Sequence, residues 1–87
     1  MVYIRQVIAY KTYFLDFYEK LSENVQTKIE WTLNLIRVTQ QVPEKYFKHL
    51  EGTKGLYEIR IGLRGNIYRI FSFFEKGNLV ILGNAFQ

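Results

Sequence analysis

Apolar positions change their spacing twice along this chain, and each change marks a predicted element. Val2 to Ala9 is rich in β-favouring residues, and Ile4, Val7 and Ile8 predict a first strand there. After Thr12, a residue suited to N-capping, Tyr13, Phe14, Phe17, Tyr18 and Leu21 recur at the spacing of a short amphipathic helix. Ser22 or Asn24 can cap a second helix, in which Val25, Ile29, Leu33 and Ile36 form one stripe and Trp31, Leu35 and Val38 widen it. The residue before a proline is pushed out of the α region, so Val42-Pro43 predicts a helix end near Gln40 or Gln41. So few residues separate the helices that a hairpin lying on one face of a sheet is expected.

From Leu56 to Gln87 the spacing becomes that of strands. Arg64-Gly65-Asn66 and Glu75-Lys76-Gly77-Asn78 divide this stretch into three β-favouring runs, which predicts an antiparallel meander. In the first run Tyr57, Ile59, Ile61 and Leu63 alternate with Glu58, Arg60, Gly62 and Arg64, one face apolar and the other charged. A turn at Gly65-Asn66 would pair Arg64 with Ile67, Gly62 with Arg69 and Arg60 with Phe71. A second turn over Glu75 to Asn78 would pair Phe74 with Leu79, place Asn84 opposite Arg69 and place Phe86 opposite Ile67. One face would then gather Arg60, Arg64, Arg69, Glu58, Asn84 and the rings of Phe71, Phe73 and Phe86. The expected fold is α+β over a single domain, residues 1–87: an N-terminal strand, a two-helix hairpin and a three-stranded antiparallel meander. Ile29, Leu33, Ile59, Ile61 and Ile70 are its expected core.

Composition narrows the class. A chain of 87 residues with 48% hydrophobic and 17% aromatic residues can close one core without staples. No Cys is present, which removes disulfide frameworks and thiolate metal sites. No apolar run approaches membrane-spanning length and the N-terminus lacks a signal-peptide pattern, so a cytoplasmic protein with no membrane partner is expected. Twelve Lys and Arg against eight Asp and Glu give a net charge of +4, which suits a polyanionic partner.

The placement of the arginines matters more than their number. Cleaving RNA through its own 2′-hydroxyl needs a proton acceptor, cations for the crowded phosphorane and a donor for the departing 5′ oxygen. Guanidinium forks on a sheet face supply the cations, and phenylalanine rings offer stacking surfaces for splayed bases. Glu58 and His49 are the titratable groups expected nearest that face. The duller reading of the same residues is a solvated strand face with a Glu58–Arg60 ion pair. Gly52, Gly55, Gly62 and Gly65 lack the strand-to-helix setting of a phosphate cradle, and no metal-ligand spacing occurs, so metal-independent chemistry without a cofactor is expected.

The stretch from Tyr46 to Arg60, with Lys48-His49-Leu50, a glycine-bracketed turn and Leu56-Tyr57-Glu58-Ile59-Arg60, is followed by Tyr68-Arg69-Ile70-Phe71. In this it resembles the HigB-like, phage-derived branch of the RelE/ParE toxin superfamily, and the order of elements agrees over nearly the whole chain. The resemblance implies a RelE-like fold and the toxin of a type II toxin–antitoxin pair, a ribosome-dependent mRNA endonuclease silenced by a helix-turn-helix antitoxin. It implies that Arg69 contacts the scissile phosphate, that Arg60 occupies a position basic in several members, and that Lys54 lies in a basic loop that orients RNA. Lys48, His49, Arg64, Phe71 and Phe86 complete the expected RNA-binding set, with Arg69, Arg60 and Glu58 as the catalytic candidates. Glu58 stands where some relatives have Lys, so their proton-transfer scheme does not carry over. The family pattern usually continues past Asn84-Ala85-Phe86-Gln87 into a Lys-rich segment. A shortened or inactive relative that only binds its antitoxin in a repressor complex is therefore the alternative reading, and the superfamily's gyrase-poisoning branch is another.

Overall fold

A computed structural model describes residues 3–84. Its elements are β1 (Val7–Ala9), α1 (Tyr13–Glu19), α2 (Glu23–Val38), β2 (Phe47–His49), β3 (Leu56–Leu63), β4 (Asn66–Glu75) and β5 (Asn78–Asn84). They form one five-stranded sheet in the order β1-β5-β4-β3-β2. The pairings within β2 to β5 are antiparallel, whereas β1 joins β5 in parallel at the edge. The helix hairpin covers one face of the sheet.

Burial follows the predicted stripes. Val25, Ile29, Leu33 and Ile36 of α2 and Phe14 of α1 meet Ile59, Ile61, Ile70, Leu79 and Ile81 in a single apolar cluster. All five residues expected at the centre of the core are there. Two polar side chains share this interior with their hydrogen bonds made: the Thr32 hydroxyl donates to the Lys28 carbonyl at 2.8 Å, and the Ser72 hydroxyl donates to the Tyr57 carbonyl at 3.2 Å. Trp31, expected to widen the stripe of α2, is instead 48% exposed and meets Tyr46 edge to face.

Several boundaries differ from the sequence expectation. The first strand is only Val7–Ala9, because the preceding residues serve the end of α2 instead of the sheet. The backbone N–H groups of Ile4 and Arg5 both donate to the Arg37 carbonyl, and the Arg5 guanidinium donates to the carbonyls of Ile36, Thr39 and Gln40. The last carbonyls of a helix lack intrahelical donors, and Arg5 supplies them from outside. Helix α2 stops at Val38, and Thr39 is already extended. Strand β2 lies in a region read only as a motif; three residues are too few to show a period.

The first hairpin turns at Arg64-Gly65, not at Gly65-Asn66. Leu63 pairs with Asn66, and φ is positive at both loop residues, 53° at Arg64 and 82° at Gly65. A type I′ loop requires this of both central residues, and glycine takes the second position without strain. The partners of β3 consequently move by two residues: Arg60 opposes Arg69, and Phe71 opposes Glu58. A shift of two leaves every side chain on its expected face. In the second hairpin Phe74 pairs with Leu79 as expected, but a bulge between the Ser72–Ile81 and Phe71–Gly83 pairs sets Asn84 opposite Ile70, not Arg69. Phe86 lies outside the described residues.

Candidate functional site

Alternation along β3 and β4 sends Glu58 and Arg60, with Arg69, Phe71 and Phe73, to the face that the helices leave open. Pairing then decides which of them touch. Arg60 and Arg69 are direct cross-strand partners, and Glu58 lies between Lys48 of β2 and Phe71 of β4. Although it stands on the open face, Glu58 is only 7% exposed. The Arg60 Nε donates to Glu58 Oε1 at 2.7 Å, and the Arg69 Nε is 3.5 Å from the same oxygen. The two arginine side chains retain 33% and 36% of their accessibility, so the carboxylate lies beneath a cationic lid that meets solvent.

Like charges directly opposed across a ladder destabilise a sheet. Here one carboxylate offsets that repulsion by contacting both guanidinium groups. Lys48, Arg60 and Arg69 around the single Glu58 leave the cluster net positive, the sign needed to attract a phosphate. Guanidinium stays protonated at any working pH, and its planar fork fits two phosphate oxygens at once.

The structure therefore unites Lys48, Glu58, Arg60, Arg69 and Phe71, and it separates the other candidates from them. Lys54 is exposed in the loop before β3, where the Thr53 hydroxyl donates to the Leu50 carbonyl at 2.6 Å and shapes the turn. Arg64 sits in the turn at the far end of the same strand. His49 pairs with Tyr57, which shares the face of Ile59 and Ile61; its ring meets that of Tyr57 edge to face with centroids 5.2 Å apart. It belongs to an aromatic group with Phe47 and Phe74 on the helix side, away from the arginines, and is not a candidate base for them.

On the open face an apolar row adjoins the charged one: Leu56 pairs with Phe73, Phe73 with Val80, and Val80 with Ile8. Ile8 is 41% exposed, an apolar side chain that sequence reasoning assigned only to a strand. No three His, Cys, Asp or Glu side chains are grouped to hold a metal among the described residues. Nor is any helix among them long and apolar enough to cross a membrane.

A sequence-family model, described as phage derived protein Gp49-like (DUF891), matches residues 16–87. The chain belongs to this Gp49-like family. No curated protein is similar enough in sequence to count as a match. Among solved structures, this Gp49-like chain is similar to E. coli toxin RelE, solved as a mutant in the free state: TM-score 0.67, 17% identity, 98% of this chain and 83% of that one. It is likewise similar to the YoeB dimer from Staphylococcus aureus, with TM-score 0.66, 16% identity, and 97% of this chain and 98% of that one covered. At these identities the likeness concerns the fold, and the Gp49-like chain has an α+β fold like that of RelE and YoeB.

Proposed function

We propose that the chain is the toxin of a HigB-like type II toxin–antitoxin pair, an endoribonuclease that cuts ribosome-bound mRNA without a metal or cofactor. The observation that carries this reading is the Arg60–Arg69 pair seated over Glu58 on the open face of a fold shared with two solved toxins. In such a cleavage the RNA 2′ oxygen attacks the neighbouring phosphorus and the bond to the 5′ oxygen breaks. The 2′ proton passes to a base, and a proton is delivered to the leaving oxygen, so the products end in a 2′,3′-cyclic phosphate and a 5′-hydroxyl. Charge builds on the phosphorane oxygens, and Arg69 with Arg60 is placed to bind them. Phe71 and Phe73 offer stacking faces beside the phosphate, while Lys48, Lys54 and Arg64 extend the cationic track.

The partner in this reading is a helix-turn-helix antitoxin that covers the basic face or the helices and keeps the toxin from the ribosome. The deciding experiment is cleavage in a translating extract, with fragment ends mapped for wild type and Arg69→Ala. Cuts in translated mRNA that vanish in the variant support the nuclease. Tight antitoxin binding without any cleavage would make the chain a repressor-complex module instead.

A further inference from the structure

The site contains an arrangement that a merely basic surface would not need. Two guanidinium groups oppose each other across the β3–β4 ladder, and the one carboxylate they share is more deeply buried than either of them. Both contacts run through Nε, the inner edge of each guanidinium, to the same atom, Glu58 Oε1. A guanidinium has two edges that can take an anion by two parallel hydrogen bonds, the Nε–Nη side and the Nη–Nη end, and here Glu58 meets the Nε side of each. With Arg60 hydrogen-bonded and Arg69 ion-paired to Glu58 on their Nε sides, the Nη–Nη end of each is left for another anion.

We propose that Glu58 is a positioning residue that clamps Arg60 and Arg69 by their Nε edges, so that their Nη edges form one preset fork for a phosphodiester. The inference rests on the nuclease reading only for the identity of the anion as RNA; the fork itself is a property of the free protein. Arginine side chains carry much rotamer freedom, and a fork already set in the free state loses less of it on binding. Lys48 and Phe71 are the direct cross-strand neighbours of Glu58, which is itself only 7% exposed.

Charge and positioning predict opposite signs for one substitution. Glu58→Ala adds a positive unit to a chain of net charge +4, so electrostatics alone would tighten its grip on a polyanion. Positioning requires the grip to weaken. The probe is a short oligodeoxythymidine, which lacks a 2′-hydroxyl and cannot be cut, titrated at low salt against wild type, Glu58→Ala, Glu58→Gln and Glu58→Asp. Glu58→Gln keeps an acceptor oxygen at the same reach and should bind at least as well as wild type. Glu58→Asp keeps the charge but is one methylene too short, and with Glu58→Ala it should bind roughly fivefold or more weakly because the fork is no longer preset.

Nitrogen–proton spectra of the arginine side chains provide a readout that a general loss of stability would not imitate. A slowly exchanging Arg60 Nε–Hε signal, assigned through Arg60→Lys, should persist in wild type and Glu58→Gln and survive addition of the oligonucleotide. It should be lost in Glu58→Asp. Binding by Glu58→Ala or Glu58→Asp that equals wild type, failure of wild type to bind, or loss of Nε protection on binding would each overturn the clamp. If Glu58→Ala does not fold, the Glu58→Asp and Glu58→Gln pair decides the question alone. Wild type that binds with the clamp intact but cuts no RNA would sink the nuclease reading and leave the fork standing.

Discussion

Arg60 and Arg69 face each other directly across the β3–β4 ladder, and Glu58 Oε1 lies within 2.7 Å and 3.5 Å of their Nε atoms. Two like charges at a directly opposed pair work against the sheet they belong to, and they persist here only with a carboxylate beneath them. Unfavourable local arrangements held in place by their surroundings mark working sites more often than inert ones.

The arginines should separate in activity. Arg69 lies mid-strand in the cluster, whereas Arg64 occupies a turn at the end of β3. Arg69→Ala is expected to lower cleavage by ~10²–10³, the usual cost of one charged donor to a developing oxyanion, whereas Arg64→Asn should alter mainly binding and its salt dependence. Single-turnover rates with thermal unfolding in parallel test this, and equal losses in both variants would reduce the site to a general basic surface.

The first hairpin carries a correctable strain. Arg64 holds φ at 53°, a left-handed conformation that costs a non-glycine residue roughly 1–2 kcal/mol and that asparagine tolerates better. Arg64→Asn is therefore expected to raise the melting temperature by a few degrees, while Gly65→Ala, with φ at 82°, should lower it. An unchanged melting temperature in both variants would contradict the turn assignment.

Arg5 ties the start of the chain to the end of α2 through the carbonyls of Ile36, Thr39 and Gln40. Losing a cation that serves orphan helix carbonyls costs about 1–2 kcal/mol. Arg5→Ala should lower the urea midpoint accordingly and speed amide exchange at Thr39, whose N–H bonds the Leu35 carbonyl. Exchange as slow as in wild type would show that the helix end is held by other means.

Burial, with the nearby Glu30 charge adding to it, raises the Tyr18 hydroxyl above its usual value of 10.0. A raised folded-state value means that the native protein holds this proton more tightly than the unfolded chain does. The contribution is complete below pH ~10 and is lost as pH rises through the folded-state value. Urea midpoints followed from pH 8 to 11 should fall less steeply for Tyr18→Phe than for wild type, and parallel curves would refute the assignment.

Periodicity alone determined the helix hairpin, the meander, the core of Ile29, Leu33, Ile59, Ile61 and Ile70, and the face to which Glu58, Arg60 and Arg69 belong. These follow from local chemistry, because a side chain's face depends only on position parity along a strand or angle around a helix. Tertiary structure decided which residues on that face touch. Whether Arg60 meets Phe71 or Arg69 depends on which two residues take positive φ in a turn, and the position of Asn84 depends on a bulge in β5. Both choices are settled by the fit of whole strands against the helix layer. The parallel edge strand, the Arg5 cap and the place of His49 among the aromatic rings lie in the same category: each joins residues far apart in the chain, and local spacing carries no information about such partners.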